Sequence, residues 1–139
     1  MKPITTLIPH REPFLFVDRL LSADAKKFTG ERTFPETEWF FKGHFPGQPV
    51  VPGVLLVECM AQCGGAGMVQ IGVFENQVFF LISVDGVKFR RPVRPGETLR
   101  MEIENVKVSQ RLVKQRGCGW VGDELAVEAE WICVPKKNG

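Results

Sequence analysis

Val54-Leu55-Leu56-Val57-Glu58-Cys59-Met60-Ala61-Gln62-Cys63-Gly64-Gly65-Ala66-Gly67-Met68-Val69-Gln70-Ile71-Gly72-Val73-Phe74 contains no proline, and its apolar residues fall on every side of a helical projection. A helix that is apolar all round is a buried helix. Gly64, Gly65 and Gly67 each cost about 1 kcal/mol relative to alanine in a helix interior. They make sense if other parts of the chain pack directly on the backbone there. Pro52-Gly53 marks the start, because a proline in the first turn lacks only a donor that would be unpaired anyway.

The chain after this helix reads as sheet. Leu99, Met101 and Ile103 alternate with Arg100, Glu102 and Glu104, the pattern of a strand with one wet face. Leu125, Val127, Ala129, Trp131 and Cys133 alternate with Ala126, Glu128, Glu130 and Ile132. Gly122-Asp123 between that run and Arg111–Val121 predicts a hairpin turn. Val78–Val84 reads as a short buried strand punctuated by Asp85-Gly86, and Phe28–Phe34 as a weaker strand. Pro92, Pro95 and Gly96 interrupt the chain before the Leu99 strand. One buried helix followed by antiparallel strands predicts an α+β fold in which a sheet curls around the helix. With 139 residues the chain has the length of a single domain spanning 1–139, and Pro135–Gly139 is expected to fray.

Composition narrows the function. Hydrophobic residues are 44% and charged residues 24%, a globular balance, and the net charge of +2 is small for a protein that lives on nucleic acid. No apolar run is long enough to span a bilayer and Met1–Thr6 carries no apolar signal core, so a cytoplasmic location with no membrane association is expected. Cys59, Cys63, Cys118 and Cys133 then read as reduced thiols. Two histidines and no CxxC pair supply a metal site poorly. Gly65-Ala66-Gly67 lacks the third glycine and the strand-to-helix setting of a phosphate loop.

The chemistry concentrates just before the helix. Gly43-His44-Phe45-Pro46-Gly47-Gln48-Pro49-Val50-Val51-Pro52-Gly53 holds three prolines and three glycines, a stiff loop that fixes His44. Glu58 comes next, on the helix among Leu56, Val57 and Met60, where an ionised carboxylate must reach water, find a partner or keep its proton. Taken singly, a loop histidine is most often structural and a helix glutamate most often solvated. Together, beside a helix N-terminus whose free N–H groups suit a developing oxyanion, they suit acid–base chemistry.

The segments Gly43-His44-Phe45-Pro46-Gly47, Pro52-Gly53-Val54-Leu55 and Glu58-Cys59-Met60-Ala61-Gln62 resemble the signature of the 3-hydroxyacyl-[acyl-carrier-protein] dehydratases of the FabZ type. Ile8-Pro9-His10-Arg11-Glu12-Pro13-Phe14, Val17-Asp18-Arg19 and Val84–Gly96 match the same family in order, so the likeness runs from Leu7 to Cys133. The resemblance implies the hotdog fold, an antiparallel sheet wrapped around a long helix. It implies a homodimer with active sites shared between subunits, in some members a hexamer built as a trimer of dimers. It also implies dehydration of a (3R)-3-hydroxyacyl chain on acyl carrier protein to the trans-2-enoyl thioester in fatty acid biosynthesis. No cofactor is implied, since the phosphopantetheine belongs to the carrier.

By the same likeness His44 and Glu58 match the catalytic pair, the amide of Gly53 the thioester contact, Val50 the carbonyl that orients the histidine, and Gln62 the residue that positions the carboxylate. Glutamate rather than aspartate at 58 favours plain dehydration over dehydration with isomerisation. The chain has no tyrosine, and Phe80 stands where many members carry the tyrosine that gates the acyl tunnel. Lys88, Arg90, Arg91 and Arg94 form a basic cluster suited to docking the acidic carrier. A hotdog thioesterase and a non-catalytic acyl-carrier binding subunit are the rival readings. The histidine loop speaks against the first and the intact His44/Glu58 pair against the second.

Overall fold

The computed structural model describes residues 1–137. Six strands, β1 (Arg19–Ala23), β2 (Lys27–Thr33), β3 (Gln77–Phe89), β4 (Thr98–Val108), β5 (Val113–Val121) and β6 (Glu124–Lys137), form one sheet in the order β1-β2-β4-β5-β6-β3. Every neighbouring pair is antiparallel. The helix α1 (Gly53–Gln70) is the only α-helix among the described residues and lies in the concave face of the sheet. Among the described residues no helix is long and apolar enough to cross a membrane.

The alternation in β4 and in β6 from Val127 onward works as read, but at the start of β6, where a bulge shifts the register against β5, Ala126, read as outward, is buried and Leu125, read as inward, is only half-buried. Leu99, Met101 and Ile103 are buried, as are Val127, Ala129, Trp131 and Cys133, with Gly122-Asp123 turning the chain between β5 and β6. The helix glycines are contact points. A Cβ on Gly64 would overlap the side chain of Gln115, one on Gly67 would overlap the ring of Phe28, and one on Gly65 would stand 3.1 Å from Phe79. The sheet is thus drawn onto the helix backbone itself, and α1 starts after Pro52 as the sequence suggests.

Three expectations are corrected. Val78–Val84 is not a buried strand. It belongs to β3, which runs on through Asp85-Gly86 as a bulge, pairs with β6 on one side only, and exposes Phe80, Leu81, Ile82 and Val84. A continuous apolar run marks a strand covered on both faces, and nothing in the one chain covers the outer face here. Pro135, Lys136 and Lys137 do not fray but end β6, opposite Phe79, Val78 and Gln77, whereas Asn138 and Gly139 lie outside the described residues. Helix α1 is not closed on all sides, since Val54 is 74% exposed and Glu58 and Ala61 lie partly open along the same stripe. β1 has no clear sequence signal, being five residues long with Leu20 as its single buried side chain.

Gly67→Ala tests the close approach. Alanine gains about 1 kcal/mol in helix propensity, but forcing a methyl against the fully buried Phe28 costs about 1–3 kcal/mol. Urea unfolding is expected to show a net loss of stability. A gain would mean that the helix and β2 stand further apart.

Candidate active site

His44 sits at the first corner of the loop between Phe41 and α1. Its backbone carbonyl accepts from the N–H of Val50 at 2.9 Å, and its ring Nδ1 lies 2.9 Å from the carbonyl oxygen of Val50. A carbonyl only accepts, so Nδ1 carries a hydrogen, and in the neutral ring Nε2 is the nitrogen with the free lone pair. The ring also stacks on Phe45, with centroids 4.0 Å apart. Phe45 and Gln48 exchange backbone hydrogen bonds around a turn that uses Gly47 at φ 77°, a left-handed conformation that favours glycine. The N–H of Val51 donates to Val93 at 2.8 Å and anchors the loop's far end.

Gly53 opens the helix. Its N–H has no acceptor among the described residues, as expected in a helical first turn. A side chain there would collide with Phe89, 2.7 Å from the position of a Cβ. Val50, Gly53, Val54, Phe89, Arg90 and Arg91 line a groove of about 510 Å³ at this helix end.

Glu58 is held from the opposite side. The amide Nε2 of Gln62, one turn on, donates to Glu58 Oε2 at 2.9 Å. The Gln62 side chain is itself buried and clamped by segment 14–16: its Oε1 accepts from the N–H of Phe16 at 2.8 Å and its Nε2 donates to the carbonyl of Phe14 at 3.0 Å. Asp18 anchors that segment through Arg32, a buried cation that also pairs with Glu38. Burial pushes the Glu58 carboxyl above its ordinary range, and the Gln62 hydrogen bond only partly opposes this. Glu58 opens into a cleft of about 30 Å³ with His10, Gln62, Phe79, Leu81 and Cys133.

His44 and Glu58 therefore do not meet within one chain: His44 is not among the residues that line the Glu58 cleft, and among the described residues no hydrogen bond or ion pair joins the two. Val50 meets His44 and Gln62 meets Glu58. Phe80 does not join the Glu58 cleft. Phe79 and Leu81, its neighbours on β3, line that cleft, while Phe80 projects from the other face with Lys136 Nζ 6.0 Å from its ring. The basic cluster is divided. Arg90 pairs with Glu128 at 3.3 Å and Arg91 with Glu97 at 3.0 Å, both beside the Gly53 groove. Lys88 faces another hollow with Arg116, Glu128 and Glu130. No local pattern in the sequence assigns a site role to His10, Phe79 or Leu81, which lie far from Glu58 along the chain.

One antiparallel sheet around one buried helix is the hotdog architecture, here carrying a histidine held by its Nδ1 and, apart from it, a carboxyl that burial raises above its ordinary range. Residues 8–130 match the FabA-like domain family. The chain is 44% identical over 130 residues to the 3-hydroxyacyl-[acyl-carrier-protein] dehydratase FabZ of Moorella thermoacetica, covering 93% of this chain and 91% of that protein. It is 46% identical over 128 residues to the protein of the same name from Pelotomaculum thermopropionicum, covering 91% of each. The chain belongs to the FabZ-type 3-hydroxyacyl-[acyl-carrier-protein] dehydratase family. Among solved structures, the dehydratase heterocomplex ApeI:P of Xenorhabdus doucetiae superposes with a TM-score of 0.83 at 12% identity, over 99% of this chain and 93% of that one, a likeness of fold.

The raised Glu58 carboxyl has a consequence for stability. Between the ordinary glutamate value, roughly pH 4.3, and the raised value in the folded chain, the unfolded chain gives up this proton before the folded chain does, so this group's contribution falls as pH rises through that window. Glu58→Gln keeps the shape and the Gln62 contact and removes the loss. Melting curves across pH are expected to show the variant more stable than the parent near neutrality, with the two converging below roughly pH 4. A variant less stable than the parent at neutral pH would contradict the direction.

Proposed function

We propose that the protein dehydrates (3R)-3-hydroxyacyl chains carried on acyl carrier protein to trans-2-enoyl thioesters, with His44 and Glu58 contributed to each site by different subunits of a homodimer. The observation that carries the reading is the geometry around the two groups: the Val50 carbonyl holds His44 by Nδ1 and leaves Nε2 as the nitrogen free to act as base, and burial raises the Glu58 carboxyl towards its protonated form. His44 Nε2 takes the C2 proton, and the C–H electron pair moves into the thioester, placing charge on its carbonyl oxygen. The free N–H of Gly53 and the positive end of α1 stabilise that charge. Glu58 then gives its proton to the C3 hydroxyl. The C3–O bond breaks, water leaves, and the C2=C3 double bond forms. The thioester already acidifies C2, so the reaction as proposed needs neither a metal nor an organic cofactor.

The shared site follows from what one chain leaves open. The exposed apolar residues Phe80, Ile82 and Val84 lie on the free edge strand β3, and Val54 on the uncovered stripe of α1. A second β3 alongside the first would continue the sheet and cover this surface. It would also bring Phe80 to the partner's acyl channel as its gate and His44 opposite the partner's Glu58. A trimer of such dimers is the larger assembly the reading allows, and the cytoplasm is its compartment. The carrier docks beside the Gly53 groove at Arg90, Arg91 and Arg94.

His44→Ala is expected to lower turnover by about a hundred- to ten-thousandfold with the fold intact. Enoyl product is followed by absorbance and by mass spectrometry, and a free acid instead would make the protein a thioesterase. Mixing His44→Ala with Glu58→Gln is expected to restore about a quarter of wild-type activity after random subunit exchange, because half the dimers are mixed and each holds one intact site. No recovery despite demonstrated exchange would place both residues in one chain's site. Arg94, whose side chain makes no ion pair among the described residues, is the cleanest probe of docking. Arg94→Ala should raise KM for the carrier-bound substrate several-fold and leave the N-acetylcysteamine thioester unaffected. Equal losses on both would assign Arg94 a structural role.

A further inference from the structure

His10 is the group near Glu58 that the reaction as proposed does not use. Its Nε2 stands 3.9 Å from Glu58 Oε2, the same oxygen that accepts from Gln62, and no hydrogen bond from the described residues reaches Oε1. Its other nitrogen, Nδ1, is buried and has no hydrogen-bond partner among the described residues. An N–H buried without an acceptor is costlier and rarer than an acceptor left unpaired, so the hydrogen belongs on Nε2 and points at the carboxyl. His44 has the opposite tautomer, because Val50 takes its Nδ1–H.

The loop that carries His10 is stapled in place by its neighbour. Arg11 donates from Nη1 to the carbonyls of Ile8 and His10 at 3.0 and 2.7 Å, and from Nη2 to the carbonyl of Thr5 at 3.0 Å.

We infer that His10 is a positioning residue for Glu58: its Nε2–H and the Gln62 amide converge on Oε2, which leaves Oε1 as the oxygen that carries the proton to the substrate. The inference rests on the dehydratase reading above. The reaction as proposed starts from protonated Glu58, and at 3.9 Å the two groups stand too far apart for a hydrogen bond. Once Glu58 gives up its proton, Oε2 bears charge and the Nε2–H closes on it. An interaction that strengthens only as charge develops acts on kcat and leaves KM alone. Burial and the nearby Arg11 cation hold the imidazole below its ordinary pKa, which keeps it a neutral donor. The other group facing the pair that can titrate is the Cys133 thiol, pushed up to about 12 and therefore neutral.

The experiment pairs kinetics with spectroscopy. His10→Phe keeps the bulk and removes the donor. It is expected to lower kcat on a 3-hydroxybutyryl N-acetylcysteamine thioester by about ten- to a hundredfold, the worth of a hydrogen bond to a charged group, with KM within about twofold. His10→Gln places a carboxamide N–H near the Nε2 position and is expected to recover most of that loss. In the wild-type dimer, ¹⁵N NMR of histidine-labelled protein should show His10 as the neutral Nε2–H tautomer at neutral pH. Carboxyl ¹³C NMR should show Glu58 titrating higher in His10→Phe, since a donor to the carboxylate has gone.

Wild-type kcat in His10→Phe, equal damage in the Phe and Gln variants, or a protonated Nδ1 would each overturn the inference. Failure of the dehydratase reading looks different: the wild-type protein itself would make no enoyl thioester. The two spectra would still decide how His10 meets Glu58.

Discussion

The side-chain amide of Gln62 joins three parts of the molecule that no covalent neighbourhood connects. It accepts from the N–H of Phe16, donates to the carbonyl of Phe14, and donates to the carboxyl of Glu58. A buried amide has to satisfy its donors and acceptor or cost folding energy, so the demand for partners draws segment 14–16 across the helix. Truncating Gln62 would leave two backbone groups unpaired and the carboxyl without its nearest donor. The helix, the N-terminal segment and the acidic group are thus placed by one constraint, and the Arg32 ion pairs with Asp18 and Glu38 hold the far end of the same segment.

A second buried glutamine does similar work two residues further along the helix, from the side of the sheet. Gln115 on β5 accepts from the indole of Trp131 at 3.1 Å and donates to Asn105 at 2.9 Å and to the carbonyl of Gly64 at 3.3 Å. It reaches the helix backbone only because residue 64 has no side chain. The glycines that weaken the isolated helix therefore let the sheet grip it. The balance favours the fold because Phe28, Phe79 and Gln115 recover in contact and hydrogen bonding what propensity loses.

The two histidines show how surroundings divide one residue type between two hydrogen-bonding states. Each has its tautomer set by what lies at Nδ1: a carbonyl for His44, nothing for His10. In the neutral ring the carbonyl leaves Nε2 of His44 as the nitrogen with the lone pair. The unpartnered nitrogen leaves His10 with Nε2–H, a donor. Neither difference is visible in residue type, and both follow from where a backbone carbonyl happens to fall.

Local patterning was enough for the buried helix, its start at Pro52-Gly53, the alternation of β4 and β6, and the hairpin at Gly122-Asp123. Each depends on residues within a few positions of one another. The motif from Gly43 to Gln62 was legible for the same reason, and with it the family. Only the tertiary structure decided that β3 is an edge with an exposed apolar face, because a continuous apolar run does not say which side will be covered. Only it separated Phe79 and Leu81 from Phe80 at the cleft and split Lys88 from Arg90 and Arg91. It alone brought His10 to Glu58 across forty-eight positions of chain. Those placements come from long-range pairing and from the burial of polar groups, which depend on where distant segments meet and leave no periodic trace in the sequence.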